Sequence, residues 1–295
     1  MGRHTFGGEW TNEKLERVRK YLCAYTRIFT KNPGAQHFTT IYVDAFAGTG
    51  HRAPSSTQAS TSDFFGLAPD TDREEFKKGS ARIALEVDPP FDRYVFVERS
   101  AERAAELRKL PASFPGRAGS IQIIEGEANA FLKEWCKRTN WRRHRAVVFL
   151  DPYGMQVEWS TLDAIARTRA IDLWLLFPLG IAVNRLLTRE GPPPAEWGQA
   201  LTRMFGAEEW RSAFYMKQEQ QMLFERLAEE RKRADTDAIG RFFLRRLKGV
   251  FAGVAENPLT LLNSTKTPIY LLCFAAGNKR GAPTAVGIAQ DILKM

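Results

Sequence analysis

From Thr39 onward, short apolar runs alternate with amphipathic segments. Ile41-Tyr42-Val43, Tyr94 to Val97, Ile121 to Ile124, Ala146 to Leu150 and Ile171 to Phe177 are continuous apolar runs, which predicts parallel strands buried on both faces. Each run but the last has an acid within a few residues of its C-terminal end: Asp44, Glu98, Glu125 and Glu127, and Asp151. In open α/β sheets, ligands bind along that edge. Between the runs lie helices. Ser100 is expected to cap Ala101 to Leu110, stopped by Pro111; Asn129 to cap a helix through about Thr139; and Ser160 to cap one to about Arg169. Ahead of the sheet, Glu9 to Phe29 carries Leu15, Val18, Leu22 and Tyr25 on one stripe, the pattern of an amphipathic helix.

Two segments break the rhythm. Residues 54–63 are Ser- and Thr-rich and read as a loop, and Gly79-Ser80 then starts the first sheet helix with Ser80 as its N-cap, so 51–78 is an insertion. After Gly191, three prolines open a charged, aromatic-rich stretch to about Val254, which reads as an inserted helical subdomain. The chain then returns to strands at Leu259 to Leu262 and Ile269 to Phe274, joined by a turn over Asn263 to Thr267. The expected divisions are an N-terminal helical segment (1–38), a Rossmann-like core (39–190), the inserted helical subdomain (191–256), and a C-terminal hairpin and helix completing the core (257–295). An α/β sheet of five parallel strands closed by an antiparallel hairpin is the arrangement of class I methyltransferases.

Composition adds partners and excludes surroundings. Forty-three Lys and Arg against 34 Asp and Glu, a net charge of +9, favour an acidic partner such as nucleic acid. Lys133, Lys137, Arg138, Arg142, Arg143 and Arg145, interleaved with Trp135 and Trp141, precede the fourth strand, so they are expected at the opposite edge as a solvated helix end. No run approaches the roughly 18 apolar residues of a membrane span. The N-terminus has no hydrophobic signal segment, and Cys23, Cys136 and Cys273 are far apart, so a cytoplasmic protein with reduced thiols is expected. The four histidines show no metal spacing, and no metal is expected.

The segment Asp44-Ala45-Phe46-Ala47-Gly48-Thr49-Gly50 follows the first strand, where glycines admit a ligand close to backbone N–H groups. It overlaps a loose dinucleotide fingerprint, but Pro54 and a Ser/Thr run stand where the helix should open. Glu98 also lies 48 residues past Gly50, against about 20 for the ribose acid of that fingerprint. The string resembles motif I of S-adenosylmethionine (SAM) methyltransferases. On that resemblance Asp44 serves the methionine amino group, Phe46, Gly48 and Gly50 belong to the cofactor loop, and Glu98 accepts the ribose hydroxyls. Glu127-Ala128-Asn129 resembles the stretch beside the adenine.

Asp151-Pro152-Tyr153-Gly154 resembles motif IV of methyltransferases that act on amino groups of nucleic-acid bases, with one proline instead of two. An exocyclic base amine is a weak nucleophile. A carboxylate and a backbone carbonyl accepting its hydrogens favour a pyramidal nitrogen, and an aromatic ring stacks on the extruded base. The bland alternative is a strand-end turn in which Tyr153 packs. Phe177-Pro178-Leu179-Gly180 either lines the same pocket or is a turn.

The layout as a whole resembles the three-Cys-motif partner (TcmP) family. The matching pieces are Trp10, Lys14 and Leu15; the glycine loop; Gly79 to Leu85; Phe96-Val97-Glu98; Phe149 to Gly154; Leu175 to Gly180; and Pro268 to Ala275. The resemblance implies a methyltransferase-like fold with SAM as cofactor and a three-cysteine-motif protein as partner. The expected function is a SAM-dependent methyltransferase acting on a base amine. A catalytically silent partner protein of the same fold, or a methyltransferase acting on protein or a small molecule, are the alternatives.

Overall fold

The computed structural model describes residues 8–48, 79–152, 154–189, 191–221 and 226–295; Gly50, the 51–78 insertion and Tyr153 lie outside them. Helix α1 (Gly8–Lys31) precedes strand β1 (Thr39–Asp44). The alternating part runs α2 (Ser80–Leu85), β2 (Arg93–Glu98), α3 (Ala101–Leu107), α4 (Leu110–Ser113), β3 (Ile121–Glu125), α5 (Ala128–Arg138), β4 (His144–Leu150), α6 (Trp159–Arg167) and β5 (Ile171–Phe177). There follow α7 (Ala195–Phe205), α8 (Trp210–Phe214), β6 (Tyr215–Gln221), β7 (Arg226–Lys232), α9 (Thr236–Lys248), β8 (Gly253–Val254), β9 (Leu259–Leu262), β10 (Pro268–Ala276) and α10 (Ala282–Lys294).

The eight-stranded sheet has the order β3-β2-β1-β4-β5-β10-β8, with β9 also paired to β10. Strands β1 to β5 are parallel, and β10 runs antiparallel beside β5. This is a Rossmann-like sheet of five parallel strands closed by an antiparallel one, as the apolar runs and the C-terminal hairpin predict.

The period-2 alternation of the strands sorts their side chains onto two cores. Ile41, Val43, Val148, Leu173 and Leu175 join one face, covered by α5, α6 and the 195–247 helices. Tyr42, Phe149, Trp174 and Leu176 join the other, covered by α1, α2 and α10. Helix α1 is fastened by more than apolar contact: the Tyr21 ring lies 5.4 Å from that of Trp174 and 4.7 Å from that of Phe274, and its hydroxyl donates to Asp172 Oδ2 at 2.7 Å.

Several local expectations change. The 191–256 stretch is not wholly helical: β6 and β7 form an antiparallel hairpin. Its Glu-, Gln- and Arg-rich sequence favours helix locally, and cross-strand pairing is a contact that composition does not report. Helix α5 is capped by Glu127, whose carboxylate accepts from the Asn129 and Ala130 N–H groups, so Asn129 sits inside the helix. Glu158 takes the N-cap position of α6, with Ser160 in its first turn, and the helix ends at Arg167, before Arg169 turns to φ 53°. Ser80 is the first residue of α2, behind Gly79. Ser100 does cap α3, but that helix ends at Leu107, and Pro111 falls in the first turn of α4. A proline ring is tolerated there because the first-turn N–H groups have no helical partner.

Trp135 and Trp141 pack edge-on to one another at 5.0 Å, against the core. Among their basic neighbours, Lys133 pairs with Glu158, Arg138 pairs with Glu134, and Arg145 lies over Phe38. Burial pushes the Cys136 thiol up to about 12 and raises that of Cys273 as well, and neither is in a disulfide. No helix of the described residues is long and apolar enough to cross a membrane.

Phe177-Pro178-Leu179-Gly180 becomes the entry to a π-helical turn, Leu179–Val183. A Cβ at Gly180 would stand 1.9 Å from the Pro268 carbonyl oxygen, and neither backbone can swing aside. Gly180→Ala should therefore cost about 3 kcal/mol or more. Gly154→Ala has only its positive φ of 65° to overcome, with open space around it, and should cost about 1–2 kcal/mol. Urea midpoints of the two variants measure the contrast.

Asp172 gives a second expectation. Burial raises its carboxyl to about 7, countered in part by the Tyr21 hydroxyl and the Arg145 charge. The folded state thus holds this proton more tightly than the unfolded chain. Its stabilising contribution is full below about pH 4 and is lost as the pH rises through about 7. Asp172→Asn should flatten the fall in stability across that window, measured by urea denaturation at a series of pH values.

Candidate functional site

The C-terminal ends of β2, β1 and β4 lie side by side at the centre of the sheet. They bring together Asp44, Gly48, Glu98 and Asp151. Asp44 ends β1 fully buried, and its Oδ1 accepts from the Phe46 N–H at 3.2 Å, which starts the turn. The Ala47 N–H donates to Val97 O at 3.1 Å, so the turn folds back onto β2. Gly48 then takes φ 63°, the left-handed region where a side chain is disfavoured.

Glu98 ties these pieces into one body. Its Oε2 accepts from the Gly48 N–H and its Oε1 from the Ser100 N–H, both at 2.9 Å. One carboxylate thereby fixes the β1 turn against the start of α3. A carboxylate has about four acceptor positions, so two remain for hydroxyl donors from a ligand. Phe46 packs at the edge of the α5-side core, and Ala128 is buried within it.

Asn129 does something other than face the edge. Its Nδ2 donates to Glu127 Oε1 at 2.7 Å and to Gln156 O at 2.8 Å. Its Oδ1 accepts from the Glu158 N–H at 3.0 Å and from the Thr161 hydroxyl at 2.8 Å. Both donors and both lone pairs are engaged inside the protein. The residue latches the loop after β3 to the loop after β4, while Glu127 itself is exposed and caps α5.

Asp151 follows β4, with Pro152 buried behind it and Gly154 at positive φ. Its Oδ1 lies 3.5 Å from Lys14 Nζ, an ammonium only 1% exposed on α1. The Tyr42 hydroxyl beneath is buried and has no hydrogen-bond partner among the described residues. Burial, then the charges of Asp44 and Asp151, push it well above the usual phenol range. The sequence motifs assign no chemical role to either group. A signal for Lys14 was present: it is a cation beside Leu15 on the apolar stripe of α1. Tyr42 carried no such signal, because tyrosine is ordinary in a strand.

No protein-family model matches the chain, and no curated protein does. Solved structures do. Over 97% of this chain and 92% of the other, it resembles protein LPL1258 from Legionella pneumophila, of family DUF519, at 12% identity and a TM-score of 0.48. It resembles the putative methyltransferase yhhF from Escherichia coli at 13% identity and a TM-score of 0.29, over 74% of this chain and 87% of the other. The C-terminal domain of precorrin-6Y C5,15-methyltransferase from Rhodobacter capsulatus aligns at 11% identity and a TM-score of 0.28, over 72% and 86%.

Beyond β5 the same edge carries cations. Lys232 Nζ donates to Asn184 Oδ1 at 2.6 Å, and its backbone N–H donates to Arg189 O at 3.1 Å. Partial burial and the neighbouring Arg189 charge lower the Lys232 pKa. Among the described residues, no group of three or more His, Cys, Asp or Glu is arranged to hold a metal ion.

The Asn129 latch makes a specific demand. Asn129→Ala would leave the Glu158 N–H, the Thr161 hydroxyl and the Gln156 carbonyl without this partner, a loss of about 2–4 kcal/mol. Thermal melting of the variant checks this against Glu127→Ala, which removes mainly a helix cap and should cost about 1 kcal/mol.

Proposed function

We propose that the chain is a SAM-dependent methyltransferase of the three-Cys-motif partner type, acting on an exocyclic amine of a nucleic-acid base. The observation that carries the reading is Glu98, whose carboxylate joins the Gly48 turn to the Ser100 backbone beside two further strand-end acids. Among the described residues, Asp44, Glu98 and Asp151 outnumber the one buried ammonium at this edge, Lys14. That balance suits a ligand that is cationic and rich in hydroxyls, and SAM carries a sulfonium, an ammonium and a ribose diol. The residues present fit it. Glu98 would hold the ribose hydroxyls, the Gly48 and Gly50 backbone would border the cofactor, and Asp44 would face its ammonium. Glu127 and Ala128 would flank the adenine.

When bound, SAM supplies an electrophilic methyl group. Asp151 would accept a hydrogen bond from one N–H of the incoming amine and the carbonyl of Pro152 from the other, so the nitrogen lone pair is freed. Tyr153, outside the described residues, is the ring proposed to stack on the base. Most of the acceleration comes from this alignment. The net charge of +9, with Arg189 and Lys232 beyond β5, supports a phosphate-bearing acceptor. A three-cysteine-motif protein is the proposed partner.

Calorimetry with SAM provides the test. Glu98→Ala should weaken binding by about 1–3 kcal/mol, the value of a hydrogen bond to a charged group and its loss. Asp151→Ala should keep SAM affinity within a few-fold and abolish transfer of a labelled methyl group to DNA or RNA. Unchanged SAM affinity in Glu98→Ala would remove the cofactor site from this edge.

A further inference from the structure

Helix α1 lies outside the sheet and before the first strand, yet it sends a charged group to the sheet's working edge. We propose that Lys14 is a positioning residue: its ammonium pairs with the Asp151 carboxylate and orients it, offsetting the negative charge that this edge gathers in Asp44 and Asp151. The role in catalysis rests on the methyltransferase reading of Asp151, whereas the ion pair itself does not.

The register of the strands brings the two acids together. Asp44 on β1 stands opposite Phe149 on β4. Asp151 lies two residues further on, the next position on the same face, which is the face that α1 covers. Strands are about 4.8 Å apart and rise about 3.3 Å per residue, so the two backbones stand about 8 Å apart there. Asp44 is fully buried and the Asp151 side chain is 11% exposed. Two carboxylates with so little water disfavour each other's charge, and without a cation one of them takes up a proton. The Tyr42 hydroxyl responds to both acids.

Among the described residues, Lys14 is the cation placed beside Asp151. Burying an ammonium costs several kcal/mol unless it is paired, so its place on the apolar stripe calls for an acid such as Asp151. Other charged groups among the described residues have different partners. Arg17, one turn along α1, is 8% exposed and donates to Glu13 at 2.9 Å. Glu98 on β2 accepts from backbone amides. Arg82 of α2 is exposed and lies over Phe114. Asp172, which Tyr21 holds, starts β5, at the other end of the strands.

The experiment compares the parent, Lys14→Met and Lys14→Met/Asp151→Asn in the full chain. SAM binding is measured by calorimetry at pH 7 in buffers of different ionisation enthalpy, which counts protons exchanged. The parent sets the baseline of proton exchange against which the two variants are read. Lys14→Met should release a substantial fraction of one proton beyond that baseline as the cationic ligand restores the missing charge, and the double variant should release none beyond it. Melting without ligand, from pH 5 to 9, gives the second measurement. The deficit of Lys14→Met should grow as the pH rises, because a carboxyl whose folded pKa is raised loses its contribution on deprotonation. The added Asp151→Asn change should remove that growth.

A deficit equal at every pH, with no proton release beyond the baseline, would mean that Lys14 only fills space, and would overturn the proposal. If the parent binds no SAM, the methyltransferase reading fails while the melting series still decides the ion pair. Should Lys14→Met not fold, a folded double variant supports the proposal. A double variant that also fails to fold overturns it, since volume and not charge would then be missing.

Discussion

A sheet covered by helices on both faces admits charge at its ends and almost nowhere between. Along β1, β4 and β5 every inward position must be apolar, because a polar group there would lose water on both sides. Val43, Val147, Val148 and Leu173 obey this and are almost wholly excluded from solvent; Tyr42 and Trp174 each bring one polar atom into the same layer, the hydroxyl and Nε1, and neither has a hydrogen-bond partner among the described residues. Chemistry is therefore pushed to the strand ends, and the parallel arrangement collects those ends along one edge. The acids Asp44, Glu98 and Asp151 stand together because the interior cannot hold them. The glycine turn, the Glu98 tie and the Lys14 ion pair all follow from placing charge on that narrow border.

The border also explains the form of the electrostatics. A carboxylate at the rim can be satisfied by backbone amides, as Glu98 is by Gly48 and Ser100. Asp151, on the helix side of the sheet, has a full counter-charge. Helix α1 supplies that at one end, through Lys14, and takes up an acid through Tyr21 at the other. It spans the sheet as a brace with a polar contact at each end and an aromatic contact between.

What was legible in the sequence follows the same physics. The apolar runs gave the strands and the acids that follow them, since double-sided burial leaves an unbroken signature. The antiparallel closing strand was also readable, from the turn at Asn263 to Thr267 between two β-rich runs. Helix caps were less so. Asn129 is a favoured capping residue, but Glu127 occupies that role because its longer side chain reaches back to two amides, which frees Asn129 to bridge. The hairpin β6–β7 was hidden because its residues favour helix and its pairing is non-local. The partnership of Lys14 with Asp151 was out of reach for another reason: 137 positions separate them, and only the fold brings them to 3.5 Å.

The four hydrogen bonds of Asn129 have an evolutionary consequence. They weld the stretch that would flank the adenine to the stretch that follows Asp151, so neither can drift alone. A new acceptor specificity could not be grafted by exchanging residues 151–158 in isolation, because the transplanted loop would have to offer the Gln156 carbonyl and the Glu158 amide at the same places. The two loops are a single heritable unit, and natural variation in one is expected to be mirrored in the other.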